Sequence, residues 1–555
     1  MPTMTFNRKD LCKLVGKEFT VEQLAEKMPM IGVAWEGATG DEIEIEAFPN
    51  RPDMLSVEGL ARAFAAFADV DTGMPEYPVL DGSYKVHVDK AVTNVRPYIA
   101  CAVVKGAKLD DATIKSLLQL QEKLHASHCR RRAKASIGVY DLDKIKFPVK
   151  YTTAAPDINF IPLGWDTPHT LAAVLEKHPR GIEFGWIIKS CECYPVLADA
   201  KDMLLSMPPI INSKDAAMTV STKNLFIDVT GTDQRTVKEV LNIVVTALAD
   251  RGGKIHSVAI EYPKLTETTP ELSPKLMKLD LNYVNKLLGI KLDMSNAVDL
   301  LKHMRFDAVE FLDSKEGVIE ATVPAYRTDI MHPIDLVEDI AIAYGYQNFK
   351  PVLPPLFTIG EESVAEEFSR KLVGIMSGLG FQETLTYILS NNTKQFSNMN
   401  IKELPTVKTI NPRTIEFTSV RTWLLPSLLE ALAANQHNLF PQKLAEVGDC
   451  LELDESKDTG TRTVRRLAAV ICHDAANLTE CKSVLESVLK NLGLEFEIVA
   501  GEHPSFVPSR FGNILINGES AGFFGEIHPD VLYRWKLEKP VIAFELDVET
   551  LQPAK

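Results

Sequence analysis

Between Tyr326 and Tyr346 the chain carries four acids: Asp329, Asp335, Glu338 and Asp339. On a helix, acids at i, i+3 and i+4 share one face, so Asp335, Glu338 and Asp339 stack there. Pro333 suits a first helical turn and Gly345 suits the end. Ile334, Val337, Ala341 and Ile342 supply an apolar face to pack inward. Asp329 lies just ahead of the helix and can fold back toward the other three. Like charges at this spacing repel. Two readings follow: acids favouring a helix N-terminus on a solvated face, or acids neutralised by a cation or a basic partner. Donors that are all oxygen suit magnesium or calcium rather than zinc.

A second stretch, His125 to Lys134, is basic: Arg130, Arg131, Arg132 and Lys134 can meet phosphate, or form a solvated loop. His125, His128 and Cys129, with Cys191 or Cys193, offer zinc ligands, but zinc sites use tighter paired spacing. The basic loop is the favoured reading. No GxxxxGK[ST] phosphate loop occurs anywhere in the chain.

The elements that must hold these residues belong to a chain of 555 residues, enough for three to five domains. Hydrophobic residues make up 45% and charged residues 24%, an ordinary globular composition. The net charge of -15 opposes unaided nucleic-acid binding, which draws its affinity from phosphate neutralisation. A nucleic-acid role therefore needs a local patch such as the Arg130–Arg132 loop, or a basic partner. Eight scattered cysteines suit a reducing compartment. The first residues lack a signal-peptide apolar stretch, and apolar runs such as 240–249 are too short for a membrane span. The expectation is a cytoplasmic protein without membrane contact.

Four blocks are expected, over residues 1–83, 84–266, 267–348 and 349–555. In the first, Glu42 to Ala47 alternates as a strand does, and Ser56 caps a helix with Leu60, Ala63, Phe64 and Phe67 on its apolar stripe. The segment from Gly73 to Gly82 reads as a linker. In the second, Ala112 to Leu124 is an amphipathic helix. Asn224 to Asp233 reads as a buried strand ending in a turn, with Asp228 and Thr230 bonded locally. The third reads strand, helix, strand, helix. The fourth has helices at Ser363 to Gly378 and Leu425 to Asn435, and strands at Val464 to Ile471 and Val541 to Val548. That order gives an antiparallel sheet with helices on one side, an α+β layout.

The whole segment from Tyr326 to Tyr346 closely resembles the signature of the phenylalanyl-tRNA synthetase β subunit family. The resemblance extends over essentially the whole chain, through Asn50 to Asp53, Ser56 to Arg62, Pro208 to Ser213, Asn224 to Asp233 and Phe523 to Pro529. The length is similar to the short archaeal and eukaryotic type. The resemblance implies an α+β multidomain fold. Its parts would be an N-terminal α/β domain, an editing domain of B3/B4 type and a small DNA-binding-like α/β domain of B5 type. The last would be a class II synthetase-like antiparallel-sheet domain without catalytic residues. Consistent with that, the glycine-rich strand–helix turn ending in arginine of an active class II site is absent around Ile527 to Arg534.

The resemblance further implies that Asp329, Asp335, Glu338 and Asp339 bind Mg2+ near an α subunit. The partners would be that α subunit, in an α2β2 heterotetramer, and tRNA(Phe), with ATP and L-phenylalanine held on α. Phenylalanine and tyrosine differ by one hydroxyl, and a hydrophobic pocket rejects such a near-isostere weakly, so a hydrolytic second site is called for. The positions that match the family's editing site are Ser206, Asp228 and Thr230, with Leu197 walling the ring. Arg130, Arg131 and Arg132 become candidate tRNA contacts. A free-standing scaffold and an autonomous hydrolase of mischarged tRNA are the rival readings.

Overall fold

The computed structural model describes residues 3–311 and 317–552. The chain divides into two units, Met1–Leu353 and Pro354–Lys555. The observed architecture is mixed α/β with several sheets.

In the first unit, the strands Thr3–Asn7, Glu42–Ala47 and Val33–Thr39 form an antiparallel sheet with Glu42–Ala47 in the middle. Ile43 and Ile45 point inward, as the alternation required, and meet Leu11, Leu60 and Phe64. Ser56 Oγ accepts from Gly59 N at 3.1 Å and starts the helix Val57–Phe67. This core does not close on itself. The same apolar cluster contains Leu225, Ile227 and Val229 of the strand Asn224–Gly231, and Val240, Leu241 and Val244 of the helix Gln234–Asp250. Ion pairs reinforce the seam. Arg251 donates to both oxygens of Asp10 at 2.7 Å and to Glu58 at 2.7 Å.

The large sheet of this unit runs in the order Ile211–Asn212, Leu204–Met207, Tyr194–Ala198, Val149–Ala154, Val79–Val88, Lys254–Glu261, Tyr98–Lys105, Asn224–Gly231, Ala135–Asp141, with Thr266–Thr269 added to Lys254–Glu261. Two expected boundaries therefore shift. The strand Val79–Val88 starts inside the segment read as a linker. Gly82 takes part because its backbone lies against Ser257 O, where a Cβ would sit only 2.0 Å away. Thr266–Thr269 likewise belongs to this sheet, which moves the end of the second block from 266 to 269.

The third block is an antiparallel sheet, Lys275–Asp280, Val318–Val323 and Asp307–Glu310, under the helices Leu281–Leu288, Met294–Lys302 and Pro333–Tyr344. The strand Asp307–Glu310 was not expected. It buries only Ala308, so its apolar signal is a single residue. Arg305 fastens the block to the first one, donating to Arg62 O at 2.8 Å and to Asp71 at 2.9 Å.

The second unit is built on a seven-stranded sheet, ordered Gln382–Glu383, Gln442–Leu453, Thr461–Cys472, Val541–Asp547, Glu519–Ile527, Phe506–Ile516 and Glu497–Ala500. Every pairing is antiparallel except Gln382–Glu383 with Gln442–Leu453. Helices cover both faces, which corrects the one-sided expectation. Leu467, Ala469 and Ile471 pack toward the helices Val364–Gly378 and Leu478–Asn491. Ala468, Val470 and Cys472 pack toward Leu425–Ala434. A continuous apolar run of this kind is what two-sided burial demands.

Candidate functional site

The strand Asn224–Gly231 alternates: Leu225, Ile227 and Val229 enter the core beneath Gln234–Asp250, so Phe226, Asp228 and Thr230 face the other way. Asp228 is only 1% exposed and Thr230 is fully buried. The neighbouring strand Ala135–Asp141 sets Gly138 opposite Asp228 and Ser136 opposite Thr230. On the other side Cys101 lies opposite Asp228.

A buried carboxylate needs partners. Tyr140 O–H donates to Asp228 Oδ1 at 2.5 Å. Ser206 Oγ lies 2.9 Å from the same phenolic oxygen. Asp228 Oδ2 takes no hydrogen bond from the described residues. Burial pushes the Asp228 carboxyl up to about 7, against the opposing pull of the Tyr140 hydrogen bond and the Arg96 charge. Gly138 makes the pair sterically feasible. A Cβ there would stand 2.2 Å from Asp228 Oδ1 and 2.2 Å from the Tyr140 oxygen.

Arg96 supports the floor of the site. Its guanidinium donates to Thr230 Oγ1 at 3.1 Å, Thr230 O at 2.7 Å and Ser136 Oγ at 3.2 Å, and also to Arg132 O and Ala133 O. Burial lowers it to about 10.

Asp228, Tyr140, Ser206 and Ser136 line one cavity of about 600 Å³, whose more exposed rim includes Leu163, Trp165 and Arg180. Two of the expected residues are not on its wall. Leu197 sits opposite Ser206 in the strand pairing but is buried in the core with Tyr151 and Phe226. Thr230 is bonded to Arg96 and Ser136 behind the wall. The structure therefore gathers Ser206 and Asp228 at the cavity, and sets Thr230 and Leu197 behind it.

The basic loop divides in the same way. Arg130, Arg131 and Arg132 have φ of 48°, 52° and 65°, a run of left-handed residues that is costly without glycine. Backbone bonds hold it, including Lys134 N to Cys129 O at 3.0 Å. Arg130 and Arg131 are exposed. Arg132 turns inward, donates to Pro209 O at 3.1 Å and Ile210 O at 2.9 Å, stacks over Phe184, and lines the cavity. Of the zinc candidates, the two histidines have other partners. His125 Nε2 accepts from Ile137 N at 2.9 Å, His128 pairs with Glu239 at 3.1 Å, and Cys129 is buried.

The acidic segment forms the expected helix, Pro333–Tyr344, ended by Gly345 at φ 87°. Its four acids line a second cavity, of about 930 Å³, with Arg51, Arg130 and Arg235. Their donor chemistry suits magnesium, but their arrangement does not form a cage. Arg327, 2% exposed at its side chain, binds Asp329 at 2.7 Å and Asp339 at 2.6 Å. Burial pushes Asp329 up, but Arg327 and then Arg51 outweigh it and hold the carboxyl below the usual range. Burial wins at Asp339 and raises it. Asp335 Oδ2 closes a capping box, accepting from Met331 N and His332 N at 2.7 Å. Glu338 is exposed and makes no hydrogen bond or ion pair among the described residues. Among those residues no group of three or more acids, histidines or cysteines is placed to hold a metal.

Sequence reasoning passed over three residues of the first site. Arg96 stands in a loop before Pro97 and carries no pattern. Tyr140 sits in a uniformly buried strand, where an aromatic residue reads as core. Gly138 did carry a signal: glycine inside a buried strand marks a close approach.

A mixed α/β chain with a buried acid–phenol pair in one unit and a largely antiparallel sheet covered on both faces in the other defines a multidomain protein. Residues 277–346 match the model of the tRNA synthetase B5 domain, and residues 350–548 match that of the phenylalanyl tRNA synthetase beta chain CLM domain. The chain is 40% identical to the phenylalanine--tRNA ligase beta subunit of Pyrococcus furiosus, over 99% of this chain and 100% of that protein. It is 41% identical to the subunit of the same name from Methanocaldococcus jannaschii, again over 99% and 100%. A crystal structure of an N-terminal fragment of the phenylalanyl-tRNA synthetase beta-subunit from Pyrococcus horikoshii superposes with a TM-score of 0.60 at 38% identity, covering 62% of this chain and 100% of the fragment. The chain belongs to the family of phenylalanine–tRNA ligase β subunits. Among the described residues no helix is long and apolar enough to cross a membrane.

Proposed function

We propose that this chain is the β subunit of a phenylalanine–tRNA ligase, paired with an α subunit in an α2β2 assembly. The ligase joins L-phenylalanine to tRNA(Phe) at the expense of ATP. The observation that carries this reading is identity of about 40% along the full length of both chains. ATP, phenylalanine and the synthetic reaction belong to α, and the assembly works in the cytoplasm. The blocks 1–83, 84–266, 267–348 and 349–555 are the working division into N-terminal, editing, B5-like and class II-like parts, with the strand boundaries adjusted as above. Magnesium serves the ligase as a whole. The acidic segment is this chain's candidate share in it, with Glu338 the acid that lacks a competing partner.

The reaction of this subunit itself is hydrolysis of Tyr-tRNA(Phe) in the Asp228 cavity. Tyrosine presents a hydroxyl that Asp228 Oδ2 can accept, and phenylalanine leaves that oxygen without a donor at a buried position, an asymmetry that penalises the wrong ligand. Water adds to the ester carbonyl, and the bond to the ribose oxygen breaks. Free tyrosine and an uncharged tRNA 3′ end are released. Ser206 stands where it can orient the ester, Thr230 braces Arg96, and Leu197 backs the wall. Arg130 and Arg131 are the exposed cations available to tRNA phosphate, with Arg132 closer to the amino-acid end.

Coexpression with the α subunit, followed by sizing and an aminoacylation assay, tests the assignment. A stable complex that charges tRNA(Phe) is expected. A chain that remains alone under these conditions, yet hydrolyses Tyr-tRNA(Phe), overturns the subunit reading in favour of an autonomous hydrolase. One that does neither is a scaffold.

A further inference from the structure

We infer that Tyr140 is the positioning residue of this pocket: its phenol occupies Asp228 Oδ1 so that Oδ2 alone, as an acceptor, meets an incoming phenol. The inference rests on the editing reading above and assigns it a discriminating element.

The geometry is built around this one hydroxyl. The Tyr140 ring is fully buried and stacks on Phe226 with ring centres 5.8 Å apart. Its oxygen is the only polar atom the ring brings into the pocket, and it stands between Ser206 Oγ at 2.9 Å and Asp228 Oδ1 at 2.5 Å. The strand of Tyr140 itself carries glycine at 138, opposite Asp228, where a Cβ would stand 2.2 Å from both oxygens. Such close-fitted surroundings fix the phenol and, through it, the carboxylate. With Oδ1 engaged by Tyr140 and Oδ2 without a partner among the described residues, the pocket already holds one phenol and has acceptor capacity for a second.

This matters because an ionised carboxylate only accepts, whereas a carboxylic acid also donates. A protonated Asp228 would bond to groups other than a hydroxyl donor and lose its selectivity. The titratable and charged groups facing Asp228 are Tyr140, Cys101 and Tyr151 on three strands, and Arg96 in the loop before Tyr98–Lys105. Of these, Tyr140 and Arg96 favour the ionised form, and Tyr140 is the one that touches the carboxylate.

The test uses the α–β complex with Tyr-tRNA(Phe), reading the deacylation rate across pH 5.5–9. Tyr140→Phe is expected to keep phenylalanine charging, lower deacylation at neutral pH roughly 10-fold, and move the rising limb of the pH profile upward by about one unit. Asp228→Ala runs in parallel. A Tyr140→Phe profile superimposable on the wild type, while Asp228→Ala abolishes deacylation, overturns the role of Tyr140 and leaves the editing reading standing. Wild-type deacylation by Asp228→Ala overturns the editing reading itself. Because Tyr140→Phe removes a buried hydrogen bond and can cost folding, a 3-fluorotyrosine at position 140 provides the isosteric check. Its more acidic phenol is a stronger donor, so the limb must move downward. An unmoved limb counts against the proposal.

Discussion

Replacing Gly138 by alanine perturbs the acid–phenol pair without substituting either member. The added methyl carbon would lie 2.2 Å from Asp228 Oδ1, 2.2 Å from the Tyr140 oxygen and 2.7 Å from Tyr140 Cζ. Non-bonded atoms settle at roughly 3.5 Å, so both groups must retreat by about 1 Å. Neither can do so freely, since Asp228 is 1% exposed and the Tyr140 ring is fully buried. A 2.5 Å bond stretched by that amount leaves hydrogen-bond range. A hydrogen bond to a charged group contributes about 1.5–3 kcal/mol, which converts to a loss of about 10- to 100-fold in Tyr-tRNA(Phe) deacylation. Phenylalanine charging, assigned above by proposal to the partner subunit, should stay within about twofold. The assay compares both activities on one preparation of the complex, after a melting curve has shown it folded. Deacylation within twofold of the wild type would mean that the methyl group is accommodated without disturbing the pair, or that the pair does not govern the reaction.

Three further outcomes follow from the same geometry. Asp228 is raised from an ordinary value of about 3.9 to about 7. A raised group binds its proton more tightly when folded, so its contribution to stability is complete below about pH 4 and is lost as pH rises through 7. Resistance to urea should therefore fall between about pH 4 and 7 more steeply in the wild type than in Asp228→Asn, and equal slopes would contradict this. Arg327→Ala leaves Asp329 and Asp339 buried without their shared cation and should cost about 3–5 kcal/mol in urea unfolding. A cost under about 1 kcal/mol would mean that the pairs break even. In the second unit, the helix Leu425–Ala434 has no side-chain cap of its own. Glu545, from the strand Val541–Asp547, accepts from Leu424 N at 3.1 Å and Leu425 N at 3.0 Å instead. Glu545→Ala should destabilise by about 2 kcal/mol, measured as the unfolding midpoint.

Local features were readable from the residues because their causes are local. The cap at Ser56, the strand from Asn224 and the limits of the helix between Pro333 and Gly345 each depend on neighbours a few positions away. The two-sided sheet was also written in the chain, in the unbroken apolar run from Leu467 to Cys472, but the order of elements was read ahead of that pattern. The acidic segment shows where spacing stops helping. It correctly put three acids on a helix, yet the neutralising group was Arg327, inside the same segment, together with the backbone N–H groups at Met331 and His332. At the Asp228 cavity the partners come from far along the chain. Arg96 meets Thr230 across 134 positions and Tyr140 meets Asp228 across 88. No periodicity reports such meetings, and only the glycine at 138 hinted that something had to pass close by.

The most direct measurement is the rate of Tyr-tRNA(Phe) deacylation by the α–β complex, set beside that of Phe-tRNA(Phe), for the wild type and for Asp228→Ala. Fast, tyrosine-selective hydrolysis is expected, falling to the spontaneous rate in the variant while phenylalanine charging persists. Unchanged selectivity in Asp228→Ala would place the proofreading reaction somewhere other than this cavity.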